Sequence, residues 1–160
     1  MIGVMGAGDN ATPKAVAWAS HLGALIAGQG WVLLSGGRNA GVMDAVSLGA
    51  HKAGGTVVGI VPKADAAEAS DFLDIAIVTG MGNARNNINV LSSDVVIACG
   101  YAEAGTLSEI ALAFKAGIPV VLLTEDDEAR RFLERTGRGL LHPAHTPEEA
   151  IVIARDLLDT

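Results

Sequence analysis

The stretch Ile2-Gly3-Val4-Met5-Gly6-Ala7-Gly8-Asp9-Asn10-Ala11-Thr12-Pro13 decides how the chain is read. A short apolar run ends in a glycine turn, and the turn leads to Thr12 and Pro13, residue types suited to the N-cap and first position of a helix. An apolar face of Val16, Ala19, Leu22 and Ile26 follows at helical spacing over 12–28 and is stopped by Gly28 and Gly30. Strand, glycine turn and amphipathic helix together form the opening unit of a parallel α/β sheet.

The unit recurs along the chain. Further apolar runs at 31–35, 56–61, 74–78, 94–99 and 119–123, with a weaker one at 139–142, read as strands. Most are nearly unbroken Val, Ile and Leu, as in strands covered on both faces. Helices are expected over 42–52, 83–92, 106–116 and 126–135, and a last one starts at Thr146-Pro147-Glu148-Glu149, where Thr146 and Glu149 fit a capping box. The expected architecture is α/β: one Rossmann-like domain over 1–160, doubly wound, with a mainly parallel sheet of about six to seven strands and helices on both faces.

Composition bounds the function. Half of the 160 residues are hydrophobic and 18% are charged, against about 25% in ordinary soluble domains. This points to faces covered by other subunits, hence a homo-oligomer. The net charge is −7 and the eleven Lys and Arg are scattered, so neither nucleic acid nor an anionic membrane is an expected partner. With Cys99 as the single cysteine there is no disulfide framework, which fits a cytoplasmic protein. No signal peptide and no membrane span is expected. The four histidines lack metal-ligand spacing, so no metal site is expected.

In doubly wound sheets ligands bind beyond the carboxyl ends of the strands, which directs attention to the turns. After the first strand, Gly6-Ala7-Gly8-Asp9-Asn10-Ala11 matches the G-x-G-x-x-A dinucleotide fingerprint. The acidic residue that binds ribose in that motif is missing, since no Asp or Glu occurs between Asn10 and Met43. The turn therefore reads either as a close approach for some other ligand or as a tight turn alone. After the second strand, Ser35-Gly36-Gly37-Arg38-Asn39-Ala40-Gly41 leads into a helix whose free amides face the cleft. Arg38 there is expected to point to solvent unless a ligand phosphate lies within reach. After the fourth, Gly82-Asn83-Ala84-Arg85-Asn86 places a cation in a first helical turn, with Asn83 as a candidate N-cap. A cation is unfavourable there without an anion nearby, so Arg85 reads either as the best single ligand contact or as an Arg paired with a neighbouring carboxylate. After the fifth, Gly100-Tyr101-Ala102-Glu103-Ala104-Gly105-Thr106 opens a helix. Glu109 reads equally as a ligand or catalytic carboxylate and as the partner of Thr106 in a capping box.

Ser35-Gly36-Gly37, Gly41-Val42-Met43, Gly82, Arg85-Asn86 and Gly105-Thr106-x-x-Glu109 together resemble the superfamily of LONELY GUY-type cytokinin-activating phosphoribohydrolases, which carry P-G-G-x-G-T-x-x-E and M-x-x-R-K signatures. The closer likeness is to the molybdenum cofactor carrier branch, through Ile2–Gly6, Gly30–Arg38, Ile77–Gly80, Ala84–Asn89, Leu91–Ser93 and Pro119–Leu123. That resemblance implies a carrier that stores molybdenum cofactor (Mo-molybdopterin), with the pterin's phosphate on glycine-rich helix N-termini and no turnover. It implies a homodimer or homotetramer and transient contact with molybdoenzymes. The implied cofactor-binding residues are Gly6, Gly8, Ser35, Gly36, Gly37, Gly41, Gly82, Arg85, Asn86, Gly100, Gly105, Thr106 and Glu109. The alternative is a nucleoside 5′-monophosphate phosphoribohydrolase with Arg85 and Glu109 as catalytic residues. Two departures separate this chain from the hydrolases. Asn86 stands where they have Lys, and the turn before Gly105 is longer and adds the carboxylate of Glu103.

Overall fold

In the computed structural model the described residues are 1–101 and 103–159; Ala102, quoted above in the turn after the fifth strand, and Thr160 lie outside them. The strands are β1 (Ile2–Gly6), β2 (Leu33–Ser35), β3 (Val57–Val61), β4 (Ile75–Val78), β5 (Val95–Cys99), β6 (Val120–Leu123) and β7 (Leu141–Ala144). The helices are α1 (Pro13–Gly28), α2 (Gly41–Lys52), α3 (Asn86–Leu91), α4 (Ala104–Ala116), α5 (Asp127–Gly137) and α6 (Pro147–Leu158), with a 3₁₀ turn over Gly82–Arg85. All seven strands join one parallel sheet in the order β4-β3-β2-β1-β5-β6-β7. The weak run near 139–142 is thus a full member, shifted to Leu141–Ala144.

Two apolar clusters show why the strands are so uniformly hydrophobic. One packs Ala19, Leu22 and Ile26 of α1, Val46 of α2 and Ile151 of α6 onto Val4, Leu33, Ile97 and Val121. The other packs Val90 of α3, Ile110 of α4 and Leu133 of α5 onto Met5, Leu34, Val96 and Leu122. Successive strand residues point to opposite faces, so a sheet buried on both sides has no polar positions to spare. β4 departs from this pattern: at the sheet edge its Ile75, Ala76, Ile77 and Val78 are all exposed.

Local helix chemistry follows the sequence closely. The Thr12 hydroxyl accepts from the Ala15 amide at 3.1 Å, and the Thr146 hydroxyl accepts from the Glu149 amide at 3.2 Å. Glu149 turns back onto the His145 amide at 2.7 Å, one residue before the position of a standard capping box. The contact between α1 and α2 was not apparent in the sequence. A Cβ on Gly23 would lie 2.1 Å from the Val46 carbonyl oxygen, and one on Gly49 would lie 1.9 Å from that of Ser20. The two helices therefore meet backbone to backbone.

Candidate functional site

β1 lies between β2 and β5 in the sheet. The chain builds outward on one side as far as β4, then crosses back to lay β5 on the other side of β1. The carboxyl ends of β1 and β5 thus form the topological switch point where such sheets bind ligands. The turns there converge on a recess of about 120 Å³.

Of the residues expected in a binding site, Gly6, Gly8, Gly36, Arg85, Asn86, Gly105, Thr106 and Glu109 line this recess. Ser35, Gly37, Gly41, Gly82 and Gly100 do not border it. Ser35 accepts from the Gly37 amide at 3.2 Å and shares a contact with Ser47, which fixes the turn after β2. Gly41 has φ of 52° and sits so close to the first turn that a Cβ would meet the Gly8 carbonyl oxygen at 2.0 Å. Gly100 faces the neighbouring hollow beside Thr12 and Thr124.

At the base of the recess stands a buried ion pair. Arg85 Nη1 is 3.7 Å from Glu109 Oε1, and the same oxygen accepts from Asn89 Nδ2 at 2.8 Å. Arg85 is 8% exposed and Glu109 5%. Arg85 and Asn89 lie four residues apart, a spacing that brings side chains onto one helical face. Glu109 stands one turn beyond Gly105 and Thr106, so all three face the recess from α4. Gly36 makes room for the cation: a Cβ there would come within 2.8 Å of Arg85 Nη1 and 2.6 Å of Met43 Sδ. Arg85 Nε is buried without a hydrogen-bond partner. Such a buried donor is costly to leave unmade.

The electrostatics agree. Burial pulls the Arg85 guanidinium below its ordinary value; Glu109 opposes that pull and the nearby positive charge of Arg38 adds to it. The group remains protonated. Burial also pushes the Glu109 carboxyl above its usual 4.5, opposed by the Asn89 hydrogen bond and by Arg85. Glu109 therefore contributes stability fully below about 4.5 and loses it as pH rises through the raised value. The Tm of Glu109→Gln relative to wild type is accordingly expected to climb between about pH 4 and pH 7. A constant difference in thermal melts across that range contradicts the burial argument.

Several readings need correction. The helix after β5 begins at Ala104 with Glu103 as N-cap and no side-chain cap bond, so Thr106 and Glu109 do not form a capping box. Asn83 is not an α-helix N-cap: Gly82, at φ of 55°, starts a 3₁₀ turn, and α3 begins only at Asn86. Arg85 is the residue before α3 rather than in its first turn. Asn86 ties α3 to α4 by donating to Ser108 Oγ at 3.2 Å. Arg38 does not turn away to solvent but lines the recess, held 3.3 Å from Asp9 Oδ2. Met43, Asn83, Asn89 and Glu103 were missed as site residues. The spacing of Asn89 from Arg85 was the available signal, and Glu103 was visible only as an added carboxylate.

The recess sits at a strand switch point of an α/β domain and is bordered by two guanidinium groups and the amides of a helix N-terminus, donors of the kind that suit an anion. The chain belongs to the SLOG cluster4 family, whose model matches residues 1–151. It is similar to the molybdenum cofactor binding protein of the phototrophic bacterium Rippkaea orientalis, with 52% identity and a TM-score of 0.95 over 98% of this chain and 96% of that one. It is likewise similar to the molybdenum cofactor carrier protein of Chlamydomonas reinhardtii, with 46% identity and a TM-score of 0.93 over 99% and 98% of the two chains. A cytokinin riboside 5′-monophosphate phosphoribohydrolase of Mycobacterium tuberculosis is 47% identical over 45 residues, 28% of this chain and 24% of that enzyme.

Proposed function

We propose that this protein binds, stores and carries molybdenum cofactor, holding the cofactor's phosphate in the recess between β1 and β5. The observation that carries the reading is likeness along nearly the whole chain to two proteins that bind or carry that cofactor, against a short local match to the hydrolases. The chemistry is compatible. A phosphate needs donors, and the guanidinium groups of Arg38 and Arg85 and the first amides of α4 stand at the recess. One helix N-terminus favours an anion by about 0.3–1 kcal/mol, more when partly buried.

Size divides the ligand. A recess of about 120 Å³ takes a phosphate, whereas pockets that enclose a whole drug-sized molecule run to about 300–1,000 Å³. The pterin body then lies against the adjoining open hollow of about 710 Å³, where Asn83, Asn86, Asn87 and Ser108 offer amides and a hydroxyl to its polar edges. Among the described residues no group of three or more His, Cys, Asp and Glu is placed to hold a metal ion. We further read the chain as a homodimer or homotetramer. The exposed Ile75, Ile77 and Val78 of β4 and the adjacent Met81 support this, together with the low charge content. A cytoplasmic carrier in transient contact with molybdoenzymes completes the reading; no described helix is long and apolar enough to cross a membrane.

The retained Arg85–Glu109 pair is the feature that favours a phosphoribohydrolase instead, because glycosidic cleavage uses a carboxyl group and a held phosphate. Its geometry fits a carrier better. Glu109 already engages Asn89 and Arg85, and Asn86 supplies no cation. Cofactor-loaded protein is expected to activate a molybdoenzyme freed of its cofactor, and the same preparation is expected to release no adenine from AMP. Failure of transfer, or adenine release abolished by Glu109→Gln, overturns the carrier reading.

A further inference from the structure

The carboxylate of Glu103 reaches across the cleft from the start of α4. Its Oε2 accepts from the Gly8 amide at 3.1 Å, although the two residues are 95 positions apart in the chain. Gly8 belongs to the glycine turn after β1, whose backbone donor is the kind a phosphate oxygen seeks. Glu103 also borders the recess that holds Arg38 and Arg85. The side chain is partly exposed and makes no cap bond to its own helix. Its bond to Gly8 therefore gives an exposed carboxylate a specific place at the anion site instead of in water.

We propose that Glu103 is the specificity filter of the cleft: it holds the Gly8 amide as a built-in anion, so that inorganic phosphate and small monoesters are rejected. Only a phosphate attached to a larger ring system, whose body makes contacts of its own, displaces it. The inference rests on the anion-binding reading above and deepens it by naming the ligand class. Formal charge explains the discrimination. The guanidinium groups of Arg38 and Arg85 stand beside the carboxyl groups of Glu109 and Glu103, and Asp9 also pairs with Arg38, so the recess presents no excess positive charge to a bare oxyanion. A bare phosphate must also break the Glu103–Gly8 bond and then sit beside the freed carboxylate. Building a repulsive group against the unwanted ligand is an established route to specificity. A large ligand offsets the loss through the outer hollow, whose wall includes Asn87, Ser108 and Leu112. The displaced carboxylate has somewhere to go, since Glu103 also borders the hollow beside Asn10, Thr12 and Thr124.

The test is titration calorimetry of inorganic phosphate and of AMP into wild type, Glu103→Gln and Glu103→Ala. Both variants are expected to bind phosphate about tenfold or more tightly than wild type and to lose part of the wild-type preference for AMP over phosphate, because the group that rejects the bare oxyanion has been removed. Melting temperatures close to wild type confirm that the part-exposed position tolerates the change. Phosphate affinity that is equal or weaker in both variants overturns the proposal and makes Glu103 a bystander or a ligand contact. Retention of molybdenum cofactor by wild type is measured on the same preparation. Its loss refutes the carrier function and leaves the phosphate comparison standing, so the two failures are told apart.

Discussion

Arg85→Ala is expected to lower the stability of the domain by about 3 kcal/mol and, at the same time, to abolish ligand retention. Two separate consequences follow from one truncation. Glu109 keeps its Asn89 hydrogen bond but loses the only cation within 4 Å of it among the described residues. Removing one partner of a buried ion pair typically costs about 3–5 kcal/mol. The lower end applies because the recess admits water and because burial already biases Glu109 toward protonation. For a chain of this length the loss corresponds to a Tm lower by roughly 10 °C at neutral pH. The defect is smaller in acid, where Glu109 takes up a proton. A domain with about 5–15 kcal/mol of stability remains folded, so binding is measurable on the variant. Arg85→Lys keeps the charge but loses the planar fork and is expected to recover stability better than it recovers binding. Thermal melts of the three proteins at two pH values, with ligand retention beside them, check the argument. An unchanged Tm contradicts the ion pair, and unchanged retention contradicts the anion site.

The double substitution Gly23→Ala/Gly49→Ala is expected to destabilise the protein by about 4 kcal/mol, against the ordinary expectation for helix interiors. Alanine in place of a mid-helix glycine normally gains about 1 kcal/mol. Here each new methyl meets a carbonyl oxygen of the facing helix, at 2.1 Å from Gly23 and 1.9 Å from Gly49. Backbone atoms do not swing aside as a side chain does, so α1 and α2 must separate and open the apolar layer beneath them. The two losses are not additive, because one separation relieves both contacts. Gly28→Ala is the control. It lies at the end of α1 with nothing within 4 Å of the added carbon, and it is expected to melt no lower than wild type. Chemical denaturation of the two variants resolves the difference, and a double variant as stable as wild type contradicts the close crossing.

These two cases also mark where the sequence is legible. Strands, glycine turns and helix starts are local events. The alternation of apolar runs with amphipathic segments fixes a doubly wound sheet, and Thr12 and Thr146 declare their helices through the amides they cap. The turns of the site are local too, because each follows a strand of a parallel sheet. Pairing across elements is not local. That Arg85 would meet Glu109, or that Glu103 would reach Gly8 from 95 residues away, depends on the stacking of α3, α4 and β1 rather than on spacing. The same holds for Gly23 and Gly49, which read in the sequence as weak spots in helices and act in the fold as the places where two helices touch. β4 was misjudged for the opposite reason. Its Ile, Ala and Val pattern matches a buried strand, yet its position at the sheet edge leaves all four residues exposed. Apolar pattern alone does not separate a strand covered by its own chain from one awaiting a neighbour.

The central claim is that the recess between β1 and β5 retains molybdenum cofactor by its phosphate. The most direct measurement incubates the purified protein, without oxygen, with cofactor released from a denatured molybdoenzyme, removes unbound material, and counts pterin and molybdenum per chain. About one pterin per chain is expected for wild type and little for Arg85→Ala under the same conditions. Equal pterin on both proteins, or none on wild type, contradicts it.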